Sequence, residues 1–360
     1  MGDAAAGASP AHAAHPHHDP LSKLDAASAA RVVLIAMRGL VSGLSATEPE
    51  VRATRATDGS DAIHHMRRIT RQLRSLFATY RRLFAQEPVT QLRHDLQWLG
   101  RSLGVARDIE VRRSRAAREL EAIPMVDASA WTRLVDSDRR EYATALDKVR
   151  AMLDGERYAR LLDALREFVA DPPLRKRSFG PANVVLVAAV RKQVAVVRAT
   201  ADAAQASDSD RETALHEARK SLRRLRYSIS VLADVDADAD AKVGDEHKGK
   251  TTTKSKATGK RRNKGGSRTL ASSWHPGKKL RMISKTAKPV VSALGAHRDR
   301  LHFFEHVIVV ARQARADEED TFVYGLIIGR LSERSRAGND PLLIELRSAV
   351  RRIAKLSRAL

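Results

Sequence analysis

The sequence IHHMRRITRQLRSLFATYRRLF, from Ile63 to Phe84, carries the clearest helical pattern in the chain. It lacks Gly and Pro, and its apolar residues recur at helical spacing, so it is predicted to form one long amphipathic helix. A solvated helix face normally mixes both signs of charge, because like charges four residues apart repel each other. No acid occurs from Ile63 to Gln86, so the basic side of this helix indicates an anionic ligand. This side holds His64, Arg67, Arg68, Arg71, Arg74, Ser75 and Arg82.

The composition indicates a basic, folded protein of one or two domains. The 360 residues carry a formal net charge of +22, and such an excess favours polyanionic partners without defining a fold. The hydrophobic content of 43% is enough for a core. The sequence contains no cysteine, which excludes disulfides, thiol nucleophiles and Cys-ligated zinc and is compatible with a reducing cytosol.

Neither a membrane span nor a secretion signal is expected. The longest apolar candidate, Val184 to Val197, is interrupted by Arg191, Lys192 and Gln193 and is shorter than the roughly 18 residues of a spanning helix. The N-terminus lacks a basic segment followed by an apolar core. We therefore predict a cytoplasmic protein.

The chain repeats its own pattern. VVLIA at Val32–Ala36 recurs as VVLVA, and the basic helix recurs as LHEARKSLRRLRYSIS at Leu215–Ser230, both 152 positions later. LGVARD at Leu103–Asp108 recurs as LGAHRD at Leu294–Asp299, but 191 positions later, which leaves 39 extra residues in the second copy. We assign these to a low-complexity basic insertion at about 234–273, where no hydrophobic period is visible. A repeat of this length indicates a duplicated half-domain.

This duplication predicts an all-α fold of two four-helix bundles related by a pseudo-twofold axis, with a basic central cleft. The predicted domains are a disordered tail at 1–25, a first helical half at 26–175 and a second at 176–360. The helices after the LGxxRD elements are expected at Trp131–Phe168, Leu301–Arg315 and Pro341–Leu360. Helix breaks are expected where Gly, Pro, Asp, Asn and Ser cluster, near 47–60, 86–89, 123–128, 171–181, 203–210 and 339–341.

The second basic helix presents the same kind of face as the first, in the same register. Two such helices are less easily explained as solubilising surfaces than one alone. Arginine suits phosphate because its planar donor fork binds two oxygens, and a stripe of arginines matches a chain of phosphates better than a single one. The leading histidines, His64 and His216, are either phosphate ligands or histidines that cap or pack between helices. The second basic face holds His216, Arg219, Lys220, Arg223, Arg226 and Tyr227.

The repeated LGxxRD element is shorter and gives weaker evidence. Two glycines four residues apart, the second of them Gly104, are expected to allow close approach of a neighbouring helix. Arg107 and Arg298 are expected to extend the basic tracks. Asp108 and Asp299 are expected to orient an arginine of the basic helix through a charge-assisted bond, with metal ligation as the alternative.

The insertion contains nine basic residues and no acid between Lys248 and Arg268. Runs of this kind are usually disordered tethers for polyanions. We expect it to add non-specific affinity and to contribute little to a shaped site.

Together, the paired His-led arginine helices and the two LGxxRD elements resemble the CHAD domain, the conserved histidine α-helical domain. The resemblance runs from about Ala26 to the C-terminus and is interrupted by the insertion. It implies two four-helix bundles whose basic cleft binds inorganic polyphosphate, and an association with polyphosphate granules. The polyphosphate-binding residues that it implies are His64, Arg67, Arg68, Arg71, Arg74, Arg107, His216, Arg219, Lys220, Arg223, Arg226, Tyr227 and Arg298.

Two other functions stay open from the residues alone. Non-specific nucleic-acid binding is disfavoured because Tyr227 is the only aromatic residue on the basic faces, which leaves no stacking platform. A metal-dependent polyphosphate-processing enzyme needs clustered carboxylates, and Asp108 and Asp299 are too few. We therefore predict a binding protein without catalytic activity, metal or cofactor; the sequence indicates no protein partner.

Overall fold

The computed structural model describes residues 21, 24–55, 61–207, 210–245, 277–336 and 339–360. These residues form helices and no β-strand, so the all-α prediction is confirmed for the part of the chain described. The helices are α1 (Ala29–Ala53), α2 (Ala62–Tyr80), α3 (Gln86–Glu121), α4 (Ala128–Trp131), α5 (Ser137–Asp154), α6 (Glu156–Ala170), α7 (Ala182–Ala206), α8 (Arg211–Asp245), α9 (Lys278–Ala316), α10 (Phe322–Arg336) and α11 (Asn339–Arg358). Shorter elements are the 3₁₀ segments Arg81–Leu83 and Lys176–Phe179 and the π-helical turn Thr132–Asp136.

The two basic helices, α2 and α8, lie at the centre. Each packs between an apolar helix and a helix that carries LGxxRD: α2 between α1 and α3, and α8 between α7 and α9. Their apolar faces are fully buried, as at Leu73 and Leu225. The two basic helices also contact each other, and the Tyr80 hydroxyl donates to the Ser228 carbonyl across this contact at 3.1 Å. The sequence pattern thus positions two cationic helices side by side.

The apolar core is not divided at the boundary between the predicted halves. One continuous cluster of buried residues draws on both, from Val32 in α1 to Ile353 in α11. A smaller cluster lies at the far ends of α3 and α9, where Phe303 packs with Tyr324 of α10. The division into two bundles related by a pseudo-twofold, and the domain boundaries, stay predictions.

Several helix boundaries differ from the predicted ones. The helix expected to reach Phe84 ends at Tyr80 and is followed by a 3₁₀ turn. The segment Leu301–Arg315, predicted as a separate helix, is the continuation of α9. α8 extends to Asp245 and so includes the beginning of the predicted insertion. Its basic run, Lys248–Arg268, and almost all of the predicted N-terminal tail lie outside the described residues.

The breaks predicted near 47–60, 86–89 and 339–341 are confirmed, but the proline in each range lies inside a helix and the break lies beside it. Pro88 and Pro341 lie in the first turns of α3 and α11, where the missing N–H has no helical partner to lose. Pro49 lies inside α1 and costs one backbone hydrogen bond, yet the helix continues to Ala53.

α1 is the one described helix that is long and apolar enough to cross a membrane, with a mean hydropathy of 1.5 over its best window. The sequence analysis overlooked it, because it counted unbroken apolar runs and did not average hydropathy. Half of this window is buried inside the protein, where α1 packs against α2, α6, α7 and α8. Its apolar character therefore serves the core of this fold.

Candidate functional site

Four arginines come together where α2 and α8 meet: Arg67, Arg71, Arg219 and Arg223, here called the central cluster. Burial lowers the pKa of Arg223 to about 9, and the charges of Arg71 and Arg219 contribute to this lowering. Burial also lowers the pKa of Arg71, and Arg67 and Arg219 lower it further. Arginine stays protonated in proteins, so the two helices hold repelling charges at close range.

The described residues neutralise only part of the central cluster. Asp108 pairs with Arg67 at 2.8 Å, which confirms the expected orienting role of that aspartate. Asp299 only opposes the lowering of the Arg219 pKa, which burial dominates. The Nε atoms of Arg71 and Arg219 are buried without a hydrogen-bond partner among the described residues. An unsatisfied buried donor costs about 1–3 kcal/mol, which an acceptor placed beside these two Nε atoms would offset.

The glycines of the two LGxxRD elements leave room for two of these arginines, Arg67 and Arg219. A Cβ atom on Gly104 of α3 would lie 3.4 Å from Arg67 Nη2, and one on Gly295 of α9 would lie 3.1 Å from Arg219 Nη2. The sequence analysis expected Gly104 to admit a neighbouring helix, and the group that it admits is a guanidinium of that helix. Both halves of the chain use the same contact.

The close contact between Gly295 and Arg219 can be tested by alanine substitution. Gly39→Ala, at a helical glycine with no atom within 4 Å of its would-be Cβ, is expected to stabilise the protein by roughly 1 kcal/mol through helix propensity. Gly295→Ala is expected to gain clearly less, because the new methyl group must displace Arg219. Chemical denaturation of both variants measures the difference in the free energy of unfolding. Equal gains in stability would refute the close contact between Gly295 and Arg219.

Two histidines hold Arg298 of α9. Arg298 Nη1 lies 3.1 Å from His216 Nδ1, and Arg298 Nε donates to His302 Nε2 at 2.9 Å. Because arginine has donors only, both ring nitrogens act as acceptors, and His216 carries its proton on Nε2. Burial lowers the pKa of His216, and the charge of Arg298 lowers it further. In the free protein His216 is therefore a neutral side chain that positions Arg298.

His64 occupies the matching position on α2. Burial lowers its pKa, and Arg107 and Arg71 lower it further. These interactions, with those of His216, connect Arg107 of α3 through the central cluster to Arg298 of α9. The result is a line of basic side chains that crosses the centre of the molecule, in which Arg67 pairs with Asp108 and Arg107 pairs with Glu110, each at 2.8 Å.

The other predicted site residues lie at the edges of this line. Lys220 pairs with Glu217 at 2.7 Å. Arg226 lies over the ring of Tyr227 at 5.2 Å, and that ring is only 7% exposed. Arg68 is exposed, and its charge contributes to the lowered pKa of His64, which burial dominates.

Arg74 lies apart from the central cluster. Its guanidinium donates to Gln97 of α3 at 3.1 Å. Burial lowers its pKa, followed by the charges of Arg93, Arg101 and Arg224. The sequence analysis missed these three arginines, although Arg93, Gln97 and Arg101 are spaced four residues apart and so share one face of α3.

A second basic neighbourhood therefore lies beside the first. No group of three or more His, Asp or Glu side chains suited to a metal ion occurs among the residues that the structure describes.

The fold and these motifs define an all-α protein with paired basic helices, and comparison assigns the family. The CHAD domain model matches residues 35–247, and the chain belongs to this family. The CHAD domain from the plant Ricinus communis superimposes with a TM-score of 0.61 at 19% identity, over 90% of this chain and 93% of that one. PptA from Streptomyces chartreusis gives a TM-score of 0.58 at 14% identity, over 89% of this chain and 99% of that one. At such identities the likeness shows the fold alone.

Two longer relatives come from Mycobacterium tuberculosis, the uncharacterized proteins MT2285 (strain CDC 1551 / Oshkosh) and Rv2226 (strain ATCC 25618 / H37Rv). Each is 33% identical over 307 residues. The aligned region covers 84% of this chain but 51% of each relative, so the chain spans about half of their length.

Proposed function

We propose that this protein binds inorganic polyphosphate along the line of cations through the central cluster, without catalysing a reaction. The observation that carries the proposal is the excess of positive over negative charge where α2 and α8 meet. Membership of the CHAD family supports the same ligand. We further propose that the protein acts in the cytoplasm on polyphosphate granules, as the family resemblance implies.

The energetic argument starts from the cost of the ligand-free state. A pKa shift of one unit corresponds to about 1.4 kcal/mol, so the lowering at Arg223 reflects an unfavourable free energy on the order of a few kcal/mol. Removing charges from water without a partner is costly, and a polyanion in the cleft would offset that cost. The buried Nε donors of Arg71 and Arg219 would gain phosphate oxygens as acceptors.

The shape of the cationic line favours an extended ligand over a single phosphate. The line begins at Arg107, passes Arg71 and Arg219, and ends at Arg298, so it draws on four helices. One orthophosphate can contact only part of it. A linear chain of phosphates can contact all of it, and its affinity would grow with each additional contact.

Nucleic acid is the second candidate, favoured by the basic run from Lys248 to Arg268. A base-stacking surface is not offered by Tyr227, because its ring is buried and covered by Arg226. The direct comparison is titration calorimetry of long-chain polyphosphate, orthophosphate and duplex DNA at one fixed salt concentration. Polyphosphate is expected to bind most tightly, and DNA of equal affinity would refute the proposed function.

Binding is also expected to strengthen as the pH falls from 8 to 5.5. In the free protein His64 and His216 have lowered pKa values, so their neutral forms favour folding above pH 6.5, and this contribution is lost as the pH drops. Neighbouring phosphate oxygens would raise both pKa values, so binding would take up protons. One unit of recovered pKa corresponds to about tenfold in affinity.

The matched variant for this pH dependence is His64→Gln with His216→Gln. Glutamine keeps an acceptor for Arg298 but does not titrate. Calorimetry at both pH values should show a strong pH dependence for the wild type and a weak one for the variant. Equal dependence in both proteins would exclude a role for these histidines.

A further inference from the structure

A cavity of about 170 Å³ lies at the C-terminal end of α2, away from His64 and Arg107. It is an open depression lined by α2, the two 3₁₀ segments, α7 and α8. The lining contains no Asp or Glu. Its charged residues are all cationic: Arg81, Arg82, Arg177, Lys192 and Arg224.

The walls of this cavity are fixed by backbone hydrogen bonds. The Arg175 N–H, just before the second 3₁₀ segment, donates to the Leu83 carbonyl at the end of the first segment at 2.9 Å. Ala85 N–H donates to the Pro173 carbonyl at 2.8 Å. Opposite, α7 contributes an apolar wall that includes Val185 and Val196. Cations from four parts of the chain are thereby held around one space.

Several polar groups of this cavity lack partners among the described residues, although Tyr80 and Gln193, which also line it, donate to the carbonyls of Ser228 and Ser221. None of the five lining cations pairs with a carboxylate in the part of the chain that the structure describes. The Thr79 hydroxyl oxygen, which also belongs to the lining, is buried and has no hydrogen-bond partner among those residues. Burial lowers the pKa of Arg224, and the charge of Arg93 adds to this effect, whereas Glu217 opposes it. An anion in the cavity would supply the missing acceptors.

This cavity is not part of the duplicated pattern. The residue 152 positions before Arg224 is Gln72, and the one 152 positions before Lys192 is Leu40. The positions equivalent to Arg81 and Arg82 in the second copy are Ala233 and Asp234. The cationic lining therefore draws on both halves of the chain but is not repeated, in contrast to the arginines of the central cluster.

We propose that this cavity is a second anion site, which takes a compact phosphoanhydride group of the pyrophosphate class. Its volume of about 170 Å³ is below the roughly 300–1,000 Å³ of pockets for drug-sized ligands, so a whole nucleotide would not be enclosed. Arginine and lysine together suit clustered phosphate oxygens. The group is supplied either as free pyrophosphate or as the end of a polyphosphate chain.

Calorimetric titration with pyrophosphate tests this site. Arg81→Glu with Lys192→Glu is expected to weaken binding at least tenfold, equivalent to the loss of about 1.4 kcal/mol. Arg71→Glu with Arg223→Glu, which removes any pyrophosphate bound at the central cluster, is expected to retain one pyrophosphate per protein. Unchanged binding in the first variant, or loss in the second, would overturn the proposal.

A second variant tests the site without changing the net charge of the protein. Ala188→Trp fills the cavity from the exposed side of α7 and is also expected to abolish pyrophosphate binding. The control, Lys285→Glu with Arg312→Glu, makes the same charge change at exposed positions of α9, which contributes no residue to the cavity. Equal weakening by this control would attribute the effect to net charge and refute the site.

The two sources of the phosphoanhydride group are separated by competition. If the site takes chain ends, excess pyrophosphate should weaken binding of short polyphosphate chains to the protein with Arg71→Glu and Arg223→Glu. If it takes free pyrophosphate only, those chains should not compete. The result does not depend on the proposed function of the central cluster, because that cluster is disabled in this variant.

Discussion

Replacement of both Arg71 and Arg223 by methionine is expected to stabilise the ligand-free protein while weakening polyphosphate binding at least a hundredfold. The two guanidinium groups are buried beside each other, with no carboxylate in contact among the described residues. Even a buried ion pair can often be replaced by apolar side chains of similar volume with no loss or a gain of about 1–4 kcal/mol, and two like charges have no mutual attraction to lose. Methionine is suited to this position because its unbranched chain adapts to an irregular space.

The loss of affinity follows from the contacts removed. A hydrogen bond to a charged group contributes about 1.5–3 kcal/mol, so loss of contacts at both arginines corresponds to a factor of a hundred or more. Thermal unfolding without ligand and calorimetry with long-chain polyphosphate measure the two effects on the same protein. A variant that is less stable and binds normally would contradict both parts of the prediction. Opposite changes in stability and binding would mark these arginines as functional residues held at a cost in stability.

An increase in salt from about 50 to 200 mM is expected to weaken polyphosphate binding by roughly fiftyfold. The cationic line has six arginines, of which Arg67 and Arg107 pair with Asp108 and Glu110, and the other four have no carboxylate partner among the described residues. Counterion release from a single-stranded polyanion gives a slope of about −0.7 for each neutralised charge, hence about −3 for four. A fourfold rise in salt concentration, raised to the power of this slope, gives the expected loss of affinity.

The basic run between Lys248 and Arg268 provides the matched comparison. Removal of residues 245–270 is expected to lower both the affinity and the salt slope, while the preference for polyphosphate over duplex DNA persists. A slope near −1 for the full chain would mean that a single contact dominates, in conflict with an extended site. Loss of the preference would relocate specificity to the basic run.

Much of the site could be predicted because it depends on local spacing. The repeated helices at Ile63 and Leu215 placed their arginines on one face by helical periodicity alone. The LGxxRD element also gave a testable role for Asp108, and the bond to Arg67 confirms it. Such inferences succeed because they concern neighbours on one helix or the charge complement of a single side chain.

The remaining features depend on how the helices pack. Arg74 belongs to the predicted basic stripe, but the approach of α3 brings it to Gln97, Arg93 and Arg101. The second cavity draws on cations from separate segments, and no spacing in the sequence links Arg81 to Lys192. Tertiary contact decides both, so periodicity on one helix could not reveal them.

Titration of long-chain polyphosphate into the protein with Arg71→Glu and Arg223→Glu tests the central claim most directly. The comparison is Lys285→Glu with Arg312→Glu, which changes the net charge equally at exposed sites on α9. Binding through the central cluster predicts loss of measurable affinity in the first variant and near wild-type affinity in the second, at the same salt concentration. Equal weakening of both variants would show that net charge alone governs binding and would contradict a shaped polyphosphate site.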